Sequence, residues 1–185
     1  MSDSQEFGFL TGQKINLVPL NPNHLALYFK WNNDSRVRKY LGNSIPVTSE
    51  SLNQKICNPG PNYIGFEIFH KEDKKPIGMV HLNGINWMRR KVSTGALIGE
   101  VDYWGQGIAT EVTQMIVDYC FGELNLNKIA SLIYSPNKAS QKCVERAGFK
   151  LEARIGDAGY FDGEYCEDLL YTFYRRDWEI SKKTD

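Results

Sequence analysis

The sequence predicts one α/β domain: a mixed, mostly antiparallel sheet of about seven strands flanked by about four helices. Three observations predict it. Between positions 63 and 99, apolar and polar residues alternate in three short runs separated by charged turns, the pattern of an antiparallel meander. From position 108 the apolar period lengthens to three or four residues, as on one face of a helix. The chain then switches strand, helix, strand, strand to its end, so both kinds of element share one sheet.

Each element has its own signal. Lys14–Leu20 alternates like a strand and stops at Pro22. Asn23–Trp31 carries Leu25, Leu27, Tyr28 and Trp31 near one helical face, and Ser35–Leu41 can continue helically. Thr48–Ile56 is a further helix, capped by Thr48 or Ser49 and stopped by Pro59. Tyr63–Phe69 and Pro76–Ile85 are strands joined by the charged turn Lys71–Lys75. Val92–Gly99 follows after the basic turn Met88-Arg89-Arg90. Ile108, Val112, Met115, Ile116, Tyr119 and Cys120 then share one helical face, with Gly122 suited to the helix end. Ile129–Tyr134 is a strand. Lys138–Ala147 is a helix with Asn137 as N-cap and Gly148 as stop. Leu151–Ile155 and Tyr165–Tyr174 close the sheet, with Gly156–Gly163 as the turn region. Residues 1–12 read as a lead-in, 13–178 as the domain and 179–185 as a polar tail.

Length and composition narrow the function classes. A chain of 185 residues hides roughly 70% of its extended surface on folding, enough for a core without disulfides or metals. Lys plus Arg is 22 and Asp plus Glu is 22, so the basic footprint of a general nucleic-acid binder is missing. No apolar run reaches the ~20 residues of a membrane span, and the polar start Met1–Glu6 is unlike a signal peptide. Cys57, Cys120, Cys143 and Cys166 form no C-x-x-C pair, and only three histidines accompany them. No metal site is expected, and the chain reads as a reduced, cytoplasmic protein.

Chemistry concentrates in Gly99–Thr110. A strand runs into Gly105-x-Gly107, and that turn opens a helix. Small residues let a ligand approach the backbone, and the exposed N–H groups with the helix dipole favour an anion. A phosphate-bearing ligand is the expectation; a glycine turn with no ligand is the alternative on this pattern alone. A Walker A loop is excluded because no Gly-Lys pair exists. A dinucleotide fingerprint lacks its third glycine, since Thr110 stands there, and the loop follows a meander instead of the first strand of a βαβ unit.

Trp104-Gly105-Gln106-Gly107-Ile108-Ala109 resembles motif A of the GNAT acetyltransferases, Q/R-x-x-G-x-G/A. Gly107 and Ala109 match its last fixed places, and Trp104 stands where Gln or Arg is usual. Downstream, Asn137-Lys138-Ala139-Ser140 and Glu145-Arg146-Ala147-Gly148-Phe149 resemble the family's Asn-x-x-Ser/Ala and Glu-Lys/Arg-x-Gly-Phe block. Asp162-Gly163-Glu164-Tyr165 resembles the turn before its last strand. Tyr103-Trp104-Gly105 and Trp31-Asn32-Asn33-Asp34 are similar to the branch of ribosomal-protein N-terminal acetyltransferases. The resemblance covers roughly residues 13–178.

The resemblance implies the GNAT fold and acetyl-CoA as acetyl donor, with no metal. The donor would contact Ile98, Trp104, Gly105, Gln106, Gly107, Ile108, Ala109, Thr110, Asn137, Ser140 and Lys142, with Arg146 as a further cation. The acceptor would be a protein N-terminal α-amine or a small amine (a polyamine or an amino sugar), held near Trp31, Trp87, Tyr160, Phe161 and Glu164. Neither a membrane nor a nucleic acid is an expected partner; a homodimer is implied by the resemblance alone. Many members use a tyrosine acid where this chain has Val144, so Ser140 is the expected acid. Some carry a glutamate where this chain has Gly159, so the base is sought among Asp157, Glu164, Glu167 and Glu100, with Asp157 first. These two departures keep a non-catalytic CoA-binding module as the alternative.

Overall fold

The computed structural model describes residues 8–41 and 45–183. Of the expected lead-in and tail, residues 1–7 and 184–185 lie outside the described residues. One eight-stranded sheet runs in the order β1-β2-β3-β4-β5-β6-β8-β7. Its strands are β1 (Leu10–Thr11), β2 (Ile15–Pro19), β3 (Tyr63–His70), β4 (Lys75–Asn86), β5 (Lys91–Ile98), β6 (Lys128–Tyr134), β7 (Lys150–Phe161) and β8 (Glu164–Tyr174). Every neighbouring pair is antiparallel except β5 and β6. A parallel pair needs a crossover, here helix α4 (Ile108–Asp118) and a π-helical turn at Tyr119–Glu123.

The sheet is covered on both faces. Helices α1 (Leu25–Asn33), α2 (Ser35–Arg38) and α3 (Ser49–Cys57) cover one face through Tyr28, Trp31, Val37 and Leu52, packed on Met79 and Leu97. Helix α4 covers the other through Ile108, Val112 and Ile116, joined by Val144 of α5 (Lys138–Arg146). Local chemistry sets the helix starts. Thr48 Oγ1 accepts from the Ser51 N–H at 3.1 Å. Asn137 Oδ1 accepts from the Ser140 N–H at 3.1 Å, the capping geometry its residue type favours.

The structure differs from the sequence reading in three places. Leu10–Thr11 pair with β2 and so belong to the sheet. Gly156–Gly163 is not all turn: β7 continues to Phe161 past a bulge between Ile155 and Gly159, leaving only Asp162-Gly163 to reverse the chain. A sixth helix, α6 (Arg175–Ser181), follows β8. It is seated by Trp178, whose Nε1 donates to Asp118 Oδ1 at 2.6 Å, and by Arg175, which donates to the Leu126 carbonyl at 3.0 Å and to the Phe121 carbonyl.

Beneath α3, His81 of β4 stacks on Tyr63 with ring centroids 6.3 Å apart. Burial, and then the nearby Lys55, push its imidazole down to about 4 from 6.5. Between pH 6.5 and pH 4 the unfolded chain therefore takes up a proton that the folded chain refuses. Stability falls as pH falls through that window, by up to about 3 kcal/mol. His81→Gln is expected to flatten urea midpoints across this range; an unchanged slope contradicts the assignment. Among the described residues, no helix is long and apolar enough to cross a membrane.

Candidate active site

Two strands part at the centre of the sheet. β5 and β6 pair only at Lys91↔Lys128, Val92↔Ile129 and Ser93↔Ala130. Beyond these, Thr94–Ile98 on β5 and Ser131–Tyr134 on β6 diverge, leaving a wedge-shaped opening about 16 Å long at strand rise. An extended ligand can lie against an unpaired strand edge of this kind.

The glycine turn sits at the mouth of the wedge. Gly107 has φ 81° and caps α4 in the left-handed region, where a β-carbon is strained. Helix geometry leaves the Ile108 and Ala109 amides with no carbonyl to bond, so they face outward with the positive end of the helix dipole. Around them, Gln106 Nε2 donates to the Asp102 carbonyl at 2.8 Å. Trp104, 44% exposed, donates from Nε1 to the Ile98 carbonyl at 2.8 Å. The tryptophan thus ties the end of β5 to the loop from the position where the motif usually has Gln or Arg.

Two cations border the turn. Lys14 Nζ donates to the Gln106 carbonyl at 2.9 Å. Arg146 shares a cavity of about 510 Å³ with Lys14, Gln106, Gly107, Thr110 and Gln114. Glu111 and Asp118 line the same cavity, so an anion is favoured only beside Lys14, Arg146 and the turn amides. Lys142 is exposed on α5 and does not line that cavity. The sequence reading missed Lys14, whose position two strands from the loop has no local signal.

The expected acceptor residues do not all meet. Strand alternation separates them. Tyr134, Asp168, Gly159, Cys166, Phe161 and Glu164 share the sheet face that α1 and α2 cover, because Tyr134↔Asp168, Gly159↔Cys166 and Phe161↔Glu164 are direct pairs. Tyr160 pairs with Tyr165 on the opposite face. Trp87 lies in the β4–β5 turn, at the far end of β5 from Ile98 and donating to the Pro61 carbonyl at 3.3 Å. Trp31 is fully buried under Gly99 and so cannot touch a ligand in an open cleft.

Phe161 and Tyr40 take that place. Their rings stack with centroids 5.2 Å apart, and Lys39 Nζ lies 5.1 Å over Phe161 while pairing with Asp162 at 3.0 Å. Tyr134 reaches Phe161 at 6.3 Å, and Leu132 on the same face of β6 is 57% exposed. Among the described residues, these side chains line an aromatic cleft between α2 and the β7–β8 hairpin.

The candidate proton-transfer groups fare differently. Glu100 Oε1 accepts from Trp31 Nε1 at 2.7 Å and Lys30 Nζ at 2.9 Å; these bonds hold its carboxyl below the usual range, a poor setting for a base. Asp157 is exposed at the bulge, with φ 51°. Glu164 is exposed beside the hairpin turn. Glu167 is paired with Arg154 at 2.9 Å. Ser140 is half-buried in the first turn of α5, its amide engaged by Asn137. Val144 is turned into the core. Among the described residues, no group of three or more His, Cys, Asp or Glu side chains is placed to hold a metal ion.

Comparison with known proteins agrees with this geometry. Residues 14–150 match the family model described as "Acetyltransferase (GNAT) domain". The chain is 31% identical over 105 residues to "Putative ribosomal N-acetyltransferase YdaF" of Bacillus subtilis, covering 57% of each chain. It is 25% identical over 112 residues to spermidine N(1)-acetyltransferase of Escherichia coli K12, covering 60% of each. Both matches thus span about three-fifths of the relative's length. The fold resembles that of spermidine N-acetyltransferase from Vibrio cholerae, solved with CoA and spermine, with TM-score 0.83, 21% identity, and 91% of this chain and 99% of that one covered.

Proposed function

The chain belongs to the GNAT acetyltransferase family, and on that premise we propose that it transfers an acetyl group from acetyl-CoA to a primary amine by direct attack. The observation that carries the reading is the Gly107 cradle at the N-terminus of α4, opening beside the edge of Thr94–Ile98 that β6 leaves unpaired. The pyrophosphate would meet the Ile108 and Ala109 amides, with Lys14 and Arg146 as counter-charges. The pantetheine arm would extend along β5 toward the aromatic cleft. The acceptor is a protein N-terminal α-amine or a small amine. The matches to the ribosomal-type and spermidine acetyltransferases support one class each.

Ser140 is the proposed proton donor to the departing thiolate. A thiol of pKa ~8.5 leaves largely without help, so the contribution is small. Ser140→Ala is expected to lower kcat by up to about 10-fold, below the common range for general acids, with the KM for acetyl-CoA unchanged. An unaltered kcat would remove Ser140 from the mechanism.

A second reading, a CoA-binding module without catalysis, is favoured by one feature: Val144 faces the core where many members place a tyrosine acid. The discriminating experiment is competition. Spermidine and a short peptide with a free N-terminus are offered together with acetyl-CoA, and products are weighed by mass spectrometry. Acetylation of one names the acceptor class. CoA binding with neither product, across further amines, favours the non-catalytic module.

A further inference from the structure

Asp168 is a buried carboxylate that no contact described above employs. It is 8% exposed on β8, and its Oδ1 is buried with no hydrogen-bond partner among the described residues. An unpaired buried carboxylate is costly, and its neighbours supply no cation. Arg154 is held by Glu167 and Lys39 by Asp162. The groups that face Asp168 are Tyr134 across on β6, its register partner Ile155 on β7, Gly159 past the bulge, and Cys166 on its own strand.

Gly159 shows what this space is for. A Cβ built there would lie 2.8 Å from Asp168 Oδ1, 2.8 Å from Tyr134 Cδ1 and 2.9 Å from Cys166 Sγ. The three side chains converge on the place a residue 159 side chain would fill. The Asp168 carboxylate thus lies against the space beside Gly159. Among the described residues, the other carboxylate with a buried unpartnered oxygen, Glu67, is already committed under α1: its Oε2 accepts from the Tyr28 hydroxyl at 2.6 Å and lies 2.6 Å from His24 Nδ1.

We propose that Asp168 is the acceptor-side base, binding the incoming ammonium through Oδ2, the oxygen that is not enclosed, and taking its proton. The proposal rests on the acetyl-transfer reading and deepens it. The acceptor arrives as R–NH3+, and one N–H proton passes to the Asp168 carboxylate, which becomes the neutral acid. The freed nitrogen lone pair forms the C–N bond to the thioester carbon, whose π pair moves to oxygen. Collapse breaks the C–S bond, and its electron pair leaves on sulfur. The second amine proton ends on the thiolate. Asp168 returns its proton to water, so thioester plus ammonium gives amide, CoA thiol and one proton. Burial also pushes the Asp168 carboxyl up, which makes it a stronger proton acceptor than an exposed aspartate.

The test is Asp168→Asn on the full chain, with two acceptors. With spermidine or an N-terminal peptide, whichever the wild type uses, kcat/KM is expected to fall by about 100-fold, the common contribution of a general base. With aminoacetonitrile, whose amine is already neutral at pH 7, the fall should be under about 5-fold, since that acceptor needs no deprotonation before attack. Acetyl-CoA affinity should hold, and the melting temperature should hold or rise because the variant removes an unpaired buried charge. Asp168→Glu keeps the carboxylate and should recover part of the activity. Equal losses with both acceptors, or no loss, overturn the proposal. A wild-type chain that binds CoA but releases no thiol with any amine overturns the transferase reading itself, and this proposal with it.

Discussion

Gly107→Trp is expected to abolish acetyl-CoA binding in a chain that still folds. The reason lies in three features of the turn. Gly107 has φ 81°, so any side chain strains the backbone by about 1–2 kcal/mol. Beyond its chain neighbours no atom lies within 4 Å of a Cβ built there, so the new side chain starts into open space at the approach to the cradle. The lost contacts are charge-assisted bonds from backbone amides, each about 1.5–3 kcal/mol. Losing two of them raises Kd by at least about 100-fold. Calorimetry reads the affinity and a circular-dichroism melt reads the fold. Gly107→Ala carries the strain with little of the blockade, so its loss should be distinctly smaller. A folded Trp variant with unchanged affinity would remove the phosphate-cradle assignment.

Phe121→Ala acts on the opposite end of the same helix, and there the effect is on stability. Phe121 is fully buried in the π-helical turn, with Phe173 at 5.7 Å and Trp178 at 5.8 Å between ring centroids. Truncation leaves a cavity where the turn, β8 and α6 meet. The expected cost is about 3–5 kcal/mol, or roughly 10 °C in melting temperature for a chain of this size. Gly107 lies about 20 Å away along α4 and the turn that extends it. Below the transition, the remaining folded protein should therefore bind acetyl-CoA nearly as tightly as the wild type. A melting temperature within a degree or two of wild type would show that the turn is not a core element.

Much of the framework was legible because it is repetitive. The β3–β4–β5 meander alternates cleanly, α4 carries its apolar stripe at Ile108, Val112 and Ile116, and Asn137 caps α5 as its type suggests. The elements that escaped lack such signals. Leu10–Thr11 is too short for a period. Helix α6 has a polar sequence and is held by Trp178 and Arg175 reaching back to distant carbonyls and Asp118. The glycines of Gly156–Gly159 suggest a turn, but they occupy a bulge. Here the bulge takes four steps on β7 against two on β8, so the alternation runs through it unchanged, and Phe161 faces the cleft while Tyr160 lies outside.

The site divides along the same line. The proposed phosphate end is local in sequence, so a motif alone points to its residues, whereas Lys14 has no such signal. The acceptor end is assembled from α2, β6, β7 and β8. Asp168 looks like one acid among several on a solvated hairpin. Only the pairing Tyr134↔Asp168 and the absent side chain at Gly159 reveal a carboxylate buried beside the cleft.

The most direct measurement is thiol release from acetyl-CoA by the purified chain, titrated with spermidine, an amino sugar and peptides of varied N-terminus. Saturable, amine-dependent release by wild type, lost in Gly107→Trp, is the expected result. Failure to bind acetyl-CoA, or release that is indifferent to every amine and to Gly107, would contradict the assignment of the cradle and the wedge to acetyl transfer.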